Sequence, residues 1–300
     1  ELLEGLRAIP VWRRSSTASG AADSADSGGA LSFSEPWLSA LEAPETLEAI
    51  RRELRALRGH DTPTGVGFQP YRSPAHQEDD ATSSSETSSV DRGAWNVYYL
   101  DLHGVVDVAA NRARCPATVA ALDAVPRRYG HAFFSAAAPR THITAHHGPT
   151  NKKLRVYLPL IVEGGDDDGS PSLCRLRVGD DVVEVREGEA IVFDDSFEHE
   201  AWNDGTAPRL VLIFDVWHPD LSDREVKLLQ FLQTAALRRD KRLCQEVERR
   251  RRLEVVREAS AEASSSQEVD GAPATSFDNF FAVIERARAG PPPDPAHIWG

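Results

Sequence analysis

The sequence predicts a mainly β fold, an antiparallel barrel or sandwich, with a helix in front of it and a helical extension behind it. Between Gly93 and Pro219, short runs rich in β-branched and aromatic residues are separated by turns of Gly, Asp and Glu. No helix-length segment interrupts these runs after Thr141, so we expect hairpin connections and an antiparallel sheet. Hydrophobic residues make up 41% of the 300-residue chain, which suffices for one sizeable core.

The N-terminal part divides into a tail, a helix and a loop. We predict a disordered tail over residues 1–32, because residues 14–32 are mostly Ser, Ala, Gly and Asp. A leading helix is predicted over residues 33–58, where leucine and isoleucine recur at helical spacing between Leu38 and Leu57. Residues 74–92 are rich in serine and predict a loop. The helix, the loop and a β core over residues 93–219 make one domain, residues 33–221.

The β core contains six predicted strands. Each is a short run of Val, Ile, Leu, Phe or Tyr that ends at a turn such as Gly179-Asp180-Asp181. The predicted strands are Ala132–Ala138, Lys153–Val162, Cys174–Val178, Val182–Val185, Ala190–Phe193 and Leu210–Val216.

The C-terminal part, residues 222–300, predicts a helical extension. Ser222 and Glu225 have the spacing of a capping box, which starts a charged helix that continues roughly to Val256. Residues 259–275 form a linker of low complexity, which we expect to be disordered, and one short amphipathic helix is predicted after it.

Composition excludes several classes of function. A net charge of −13 argues against a nucleic-acid partner, since phosphate binding needs a basic surface. No apolar run is long enough to cross a membrane, and three widely spaced cysteines fit reduced thiols better than a disulfide scaffold. The chain contains no methionine, so we expect an incomplete N-terminus. A soluble protein is predicted, and a cytoplasmic location is favoured.

Two histidines at the ends of predicted strands are candidate metal ligands. His146 precedes the Gly148-Pro149 turn that enters the strand beginning at Lys153, and His199 follows the hairpin that ends at Phe193. Imidazole binds iron, zinc or copper well, and few protein ligands leave positions open for chemistry. The alternative is that both are structural histidines, because the chain contains ten.

Two arginines in apolar strands make the metal hypothesis stronger. Arg155 lies within Leu154–Leu158, and Arg209 starts the most hydrophobic strand of the chain. A buried guanidinium needs a carboxylate, from the protein or from a ligand. Next to two candidate ligands, the arginines indicate an anionic co-substrate. The alternative is a set of internal salt bridges to Asp194, Asp195 or Asp215.

Three motifs resemble one enzyme family. They are His-x-Gly-Pro-Thr-Asn at 146–151, Phe-Asp-Asp-Ser-Phe-Glu-His-Glu at 193–200 and Asp-Val-Trp-His-Pro at 215–219. With them, the segment from Trp95 to Pro219 resembles the aspartyl/asparaginyl β-hydroxylases, which are Fe(II)- and 2-oxoglutarate-dependent oxygenases. Trp-Leu-x-x-Leu-Glu at 37–42 is similar to the helix that leads into this domain in bacterial-type members. The tail and the region after about residue 225 lie outside the resemblance.

The resemblance implies a fold, a reaction and a set of site residues. The fold would be a double-stranded β-helix, a cupin-like jelly roll. The reaction would use O2 to hydroxylate an Asp- or Asn-type side chain in a peptide, protein or small amide substrate, with release of succinate and CO2. No catalytic side chain is implied beyond the metal centre. By this resemblance Fe(II) binds to His146 and His199, and 2-oxoglutarate contacts Trp95, Ser135, Arg155 and Arg209.

Two positions need comment. Tyr157 stands where the family often has a histidine, and its hydroxyl can still donate a hydrogen bond. Gly148 stands where most 2-oxoglutarate oxygenases have an acidic ligand, but the resembling family also lacks that acid. We expect glycine at 148 because the turn requires a backbone conformation that other residues reach only with strain.

Two other functions remain open at this point. One is a non-catalytic cupin-like module that binds a carboxylate ligand or a peptide, with structural histidines. The other is a zinc hydrolase on the same two histidines, which is disfavoured by the missing third ligand and the missing general base.

Overall fold

We describe a computed structural model that covers residues 2–13, 35–57, 68–71, 90–104, 108–164, 171–239 and 242. The predictions for residues 14–32, 74–89 and 259–275, and for the last amphipathic helix, lie outside these residues. The loop predicted over residues 74–92 is wrong for residues 90–92, which form a short strand that pairs in the smaller sheet.

The described part contains two antiparallel sheets and several short helices. The strands are β1 Val11–Trp12, β2 Gln69–Pro70, β3 Val90–Arg92, β4 Trp95–Leu102, β5 Arg128–Ala137, β6 Thr141–His146, β7 Lys153–Ile161, β8 Cys174–Val178, β9 Asp181–Glu184, β10 Ile191–Phe193, β11 His199–Asn203 and β12 Arg209–Trp217. The helices are α1 Pro36–Leu41, α2 Pro44–Ala56, α3 Ala109–Arg114 and α4 Pro116–Asp123. Residues 223–239 form a further helix, which we call the C-terminal helix.

Strand order defines the fold. The larger sheet runs β1-β10-β7-β12-β5-β4-β2, and the smaller one runs β3-β6-β11-β8-β9. From β5 to β12 the chain passes back and forth between the two sheets, and only β8 and β9 follow each other in the same sheet. This is the strand order of a double-stranded β-helix, so the predicted fold class is confirmed.

Each face of the larger sheet covers a different core. The outer face packs under helices α1, α2 and α4 through residues such as Ile50, Leu54 and Leu122. The inner face meets the smaller sheet around Phe133 and Ile213. Apolar burial on both faces fixes the alternation of every strand, since a slip of one residue would exchange the two faces. The inner face carries the candidate site.

The leading helix is two helices rather than one. α1 ends at Leu41 and α2 begins at Pro44, with an extended backbone at Ala43, where φ is −58° and ψ is 134°. A residue before proline is disfavoured in helical conformation, which explains the break. Both helices still bury the leucines that predicted them, Leu38 and Leu54 among them.

The prediction of a disordered tail over residues 1–32 is wrong for residues 2–13. β1 pairs with β10 at the edge of the larger sheet, and Trp12 is buried. Asn151 holds the backbone of Leu3 through two hydrogen bonds of 2.8 and 2.9 Å. The apolar residues of this segment are too few to produce a periodic signal, so only the tertiary contacts reveal it.

The insertion between β4 and β5 was not predicted. α3 and α4 lie there, and Pro116 begins α4. The capping box is confirmed: Glu225 accepts a 2.7 Å hydrogen bond from the Ser222 backbone, and Ser222 Oγ accepts one of 3.3 Å from the Glu225 backbone. No helix of the described residues is long and apolar enough to span a membrane.

Candidate active site

The inner face of the larger sheet gathers polar residues at every second position of two adjacent strands. On β7 these are Lys153, Arg155 and Tyr157, and on β12 they include Arg209 and Asp215. The register places Asp215 opposite Arg155 and Ile213 opposite Tyr157. Since successive side chains of a strand alternate between faces, the apolar residues between them fill the outer core.

A β-bulge brings the two histidines together. His199 on β11 pairs with His146 on β6, and Ala201 pairs with Ile143. Three residue steps on β6 therefore oppose two steps on β11, and the extra residue reverses the alternation of β6. Ile143 and His146 can then face the same interior, and the two imidazole centroids lie 4.1 Å apart.

Backbone carbonyls orient both imidazoles. His146 Nδ1 lies 2.7 Å from the Thr144 carbonyl, and His199 Nδ1 lies 3.0 Å from the Phe197 carbonyl. A carbonyl only accepts, so each Nδ1 carries the hydrogen and each Nε2 keeps its lone pair. Burial lowers the pKa of both rings, and for His199 burial together with the neighbouring His146 lowers it to about 3. Both rings are neutral at pH 7, which is the protonation state that binds metals.

Trp95 and Ser135 lie beside the first histidine. The Trp95 indole nitrogen donates a 2.9 Å hydrogen bond to Ser135 Oγ, and its ring centroid is 6.2 Å from that of His146. Ser135 is buried, and its hydroxyl hydrogen remains able to donate to a ligand. The Tyr71 ring stacks on the Trp95 ring, with the two centroids 3.8 Å apart. Trp95 and Ser135 therefore form a wall that the Tyr71 ring supports.

Arg209 is a buried cation without a carboxylate partner among the described residues. Arg209 is only 1% exposed, and its Nε has no hydrogen-bond partner in the described part of the chain. Nη1 donates a long hydrogen bond of 3.4 Å to the Trp202 carbonyl. The guanidinium lies 5.6 Å from the centroid of the Tyr157 ring, and the buried Tyr157 hydroxyl is also without a partner. Two such donors could hold an anion, because unpaired buried polar groups are costly, and we call Arg209 and Tyr157 the anion pocket.

Arg155 has different surroundings. It donates to Asp215 at 2.9 Å and lies 3.1 Å from Asp195, while Lys153 lies 2.7 Å from Asp195 and 3.1 Å from Asp215. His131 completes the group with its Nδ1 at 3.1 Å from Asp215. We call these five residues the charge cluster. Burial alone would lower the pKa of Arg155, but the two carboxylates raise it above its ordinary value.

The alternative of internal salt bridges therefore describes Arg155 but not Arg209. Nε and Nη2 of Arg155 contact the two carboxylates of the charge cluster. Asp195 lies close enough to His199 for its charge to act on that ring, and its Oδ1 accepts no hydrogen bond from the described residues.

Other polar residues in and near the motifs are surrounded by protein groups. His147 is exposed and its Nδ1 lies 3.2 Å from the Ser196 carbonyl. His142 lies between Asp91 and Glu200 and stacks on Trp202. His218 is buried against Trp12. Asp194 Oδ1 accepts from the Ser196 backbone and so shapes the loop before His199. Cys174 is buried in the inner core.

The reason expected for Gly148 is wrong. Its φ does not lie in the left-handed region, so backbone strain does not require glycine. Instead, a Cβ at this position would lie 2.5 and 2.6 Å from the two carboxylate oxygens of Asp195. Glycine is required because the Asp195 carboxylate lies directly beside the backbone at this position.

The described residues fit a metal site with two protein ligands. Within this part of the chain, no group of three or more His, Cys, Asp or Glu side chains is arranged to hold a metal. Two neutral imidazoles with available Nε2 atoms remain, beside an anion pocket and an unpaired carboxylate oxygen. That donor set suits a metal that keeps open positions for a co-substrate.

Several residues of the site were not predicted from the sequence. Lys153 and His131 belong to the charge cluster, and the alternation of β7 could have revealed Lys153. Tyr71 lies in a short described stretch with no strand signal of its own, and only its stacking on Trp95 reveals it.

Comparison with known proteins gives a family match over this same region. A family model described as Aspartyl/Asparaginyl beta-hydroxylase matches residues 45–219. The human Aspartyl/asparaginyl beta-hydroxylase is 34% identical over 145 residues, which are 46% of this chain and 18% of that protein. The human Aspartate beta-hydroxylase domain-containing protein 2 is 35% identical over 153 residues, 48% of this chain and 39% of that protein.

A bacterial relative matches over a longer stretch. The Ornithine lipid ester-linked acyl 2-hydroxylase of Rhizobium tropici is 36% identical over 186 residues, 61% of this chain and 58% of that protein. The chain thus spans between 18% and 58% of the length of these three relatives. A cupin 2 conserved barrel domain protein from Rhodopseudomonas palustris overlaps 57% of this chain and 89% of its own, at 9% identity and a TM-score of 0.30. The assignment of the fold therefore rests on the strand order of the two sheets.

The family match covers more than half of the 300 residues and contains the histidine pair, the anion pocket and the charge cluster. The chain belongs to the aspartyl/asparaginyl β-hydroxylase family.

Proposed function

We propose that the protein is an Fe(II)- and 2-oxoglutarate-dependent dioxygenase. Its substrate would be an Asp- or Asn-type side chain in a peptide, a protein or a small amide, and succinate and CO2 would be released. The observation that carries the proposal is the neutral pair His146 and His199 in one interior with Arg209, a buried cation that has no carboxylate partner among the described residues. A metal and a dicarboxylate together satisfy this arrangement.

The two histidines would hold the metal through Nε2. Their Nδ1 hydrogens stay on the Thr144 and Phe197 carbonyls, which fixes the ring orientation and the tautomer. A bound Fe(II) would supply the activation of O2 that an unactivated C–H bond requires. No side-chain general base is needed for this reaction, and Asp195 is held within the charge cluster instead.

The co-substrate would lie along the inner face of the larger sheet. Arg209 and the Tyr157 hydroxyl would donate to one carboxylate, and Ser135 would donate to the co-substrate from the wall that it forms with Trp95. Arg155 would contribute its guanidinium Nη1. Because these donors are buried, the ligand would be held out of water, which strengthens each contact.

A second substrate class has one observation in its favour. The longest match among the three relatives is to a protein named as an ester-linked acyl hydroxylase of a lipid. A lipid acyl chain is therefore an alternative target for the same site and the same co-substrate.

The test is turnover of 2-oxoglutarate by the Fe(II)-loaded protein against a panel of substrates. The panel should contain Asp peptides, Asn peptides, amide metabolites and ester-linked acyl lipids. We expect succinate and a product heavier by one oxygen atom with at least one class. Binding of 2-oxoglutarate without turnover of any class would favour the non-catalytic binding module, and hydrolysis of an amide by a Zn²⁺-loaded sample would favour the zinc hydrolase.

A further inference from the structure

The C-terminal helix is connected to the charge cluster through a series of side chains that contact one another. Gln233 Nε2 lies 3.1 Å from His103 Nδ1. The His103 ring stacks on the His131 ring at 5.7 Å, with planes 18° apart, and His131 reaches Asp215. The match to the family model ends at residue 219, so Gln233 lies outside it.

His103 has a second route to the cluster through Tyr129. The two rings meet edge to face at 5.4 Å, and the Lys153 ammonium lies 6.0 Å from the centroid of the Tyr129 ring. Lys153 is itself bonded to Asp195, the residue beside His199. Both routes therefore end at the charge cluster, in which Asp195 is the carboxylate whose charge acts on His146 and His199.

The backbone of His103 has an unusual conformation that holds its ring in this place. Its φ is +55°, in the left-handed region, and its amide donates a 2.6 Å hydrogen bond to the Gly130 carbonyl. A non-glycine residue in this region is uncommon and stays there only when its surroundings fix it.

The contact between Gln233 and His103 also has a defined direction. An amide nitrogen can only donate, so His103 Nδ1 accepts and the imidazole is neutral. Burial, with His131 next in effect, lowers the pKa of His103 to about 4, which agrees with a neutral ring at pH 7.

We propose that Gln233 and His103 are positioning residues through which the C-terminal helix fixes the charge cluster beside the histidine pair. They touch neither metal ligand, and they act by holding His131 and Tyr129 against Asp215 and Lys153. The effect on turnover rests on the proposed function, whereas the effect on the cluster itself does not.

Two variants test the proposal without disturbing the fold. Gln233→Leu keeps size and removes the donor. His103→Asn removes the ring, and asparagine tolerates a positive φ. Phe231→Ala is the matched control, because Phe231 lies on the outer side of the same helix and is 68% exposed.

The first readout is the imidazole ¹⁵N NMR signal of His131 in the metal-free protein. We expect Gln233→Leu and His103→Asn to shift this signal, and Phe231→Ala to leave it in place, with thermal unfolding close to wild type in all three. An unshifted His131 signal in both test variants would overturn the proposal, whether or not the protein turns over any substrate.

The second readout separates positioning from binding. In an active preparation, the two test variants should lower kcat by about 2- to 30-fold, the range of coupling through packed networks. The KM for 2-oxoglutarate should change less than kcat, because Arg209 lies outside the network, although Arg155 belongs to it. A rise in that KM with unchanged kcat would contradict the positioning role.

Discussion

Two buried arginines on neighbouring strands differ in their surroundings, because carboxylates of the described residues neutralise only one of them. Arg155 is neutralised by Asp195 and Asp215, whereas Arg209 has no such partner in the described part of the chain. A buried charge without a partner lowers stability, and it persists where a ligand supplies the partner.

Arg209→Met should therefore weaken 2-oxoglutarate binding without loss of stability. We expect affinity to fall by about thirty- to several hundred-fold, or about 2–4 kcal/mol, and the ligand-free protein to unfold at an equal or higher temperature. Arg155→Met is the matched comparison, since it leaves two buried carboxylates with one lysine and should cost about 3–5 kcal/mol of folding free energy. Isothermal titration and thermal denaturation of both variants measure this. Equal destabilisation by both would assign Arg209 to the internal framework.

We predict that Tyr157 keeps anion binding independent of pH over the neutral range. Burial raises the pKa of Tyr157 to about 12, so the hydroxyl keeps its hydrogen. At fixed metal occupancy, we expect the affinity of the wild-type protein for 2-oxoglutarate to stay constant between about pH 6 and 9. Tyr157→His should introduce tighter binding at the acidic end, because a protonated imidazole carries a charge that the phenol lacks. Wild-type and variant profiles of the same slope would exclude a contact between residue 157 and the ligand.

At the scale of single residues, the motifs pointed to residues that lie near one another in the structure, but the backbone geometry that brings them together was not predicted. His146 and His199 lie together as expected, although the bulge that turns His146 inward has no sequence signal. Gly148 was singled out for the wrong physical reason, because a close approach between distant segments is invisible in a local pattern. Whether these residues bind iron and 2-oxoglutarate stays a prediction.

At the scale of elements, six strands of the β core were predicted, because β-branched runs and Gly-Asp turns are local signals, whereas β4, β6 and β11 were not among the predicted strands. β8 coincides with its predicted limits of Cys174 and Val178, and β7 differs by one residue. The elements that escaped depend on partners elsewhere in the chain. β1 is held by β10 and Asn151, and α4 packs beneath α2 in the outer core.

The junction between β6 and the next turn gives a prediction at this scale. In Gly148→Ala, the new Cβ would overlap the Asp195 carboxylate, and the carboxylate cannot retreat without breaking its contact with Lys153. We expect a loss of about 1–3 kcal/mol from overpacking, measured by urea denaturation, and lower metal affinity because His146 is two residues away. Gly104→Ala is the control, since a Cβ there meets nothing within 4 Å, although its φ of +62° carries some strain. Wild-type stability of Gly148→Ala would show that the cluster can move freely.

At the scale of the whole molecule, the charge cluster joins β5, β7, β12 and the loop before β11 at one end of the fold. Burial by itself would raise the pKa of Asp215, but Arg155 and Lys153 outweigh it and hold this pKa well below its ordinary value. A carboxyl whose pKa is lowered on folding contributes stability above its unfolded pKa of about 4, and that stability is lost as the pH falls toward the folded pKa.

Asp215→Asn should therefore be strongly destabilised near pH 7, and less so in acid. We expect a cost of about 3–5 kcal/mol at neutral pH, because the variant leaves two buried cations with one carboxylate. The difference from wild type should shrink below about pH 4, where the wild-type carboxylate loses its contribution. Denaturant unfolding across pH measures both curves, and a constant difference at every pH would show that the loss comes from packing rather than charge.

The metal content of the purified protein tests most directly whether His146 and His199 are the protein ligands of a metal. We predict one Fe(II) per chain in the anaerobically loaded protein and in His147→Ala, and none in His146→Ala or His199→Ala. The neutral Nε2 atoms and the exposed position of His147 lead to this result. Iron that is retained in His146→Ala but lost in His147→Ala, or retained when both His146 and His199 are replaced, would contradict the account.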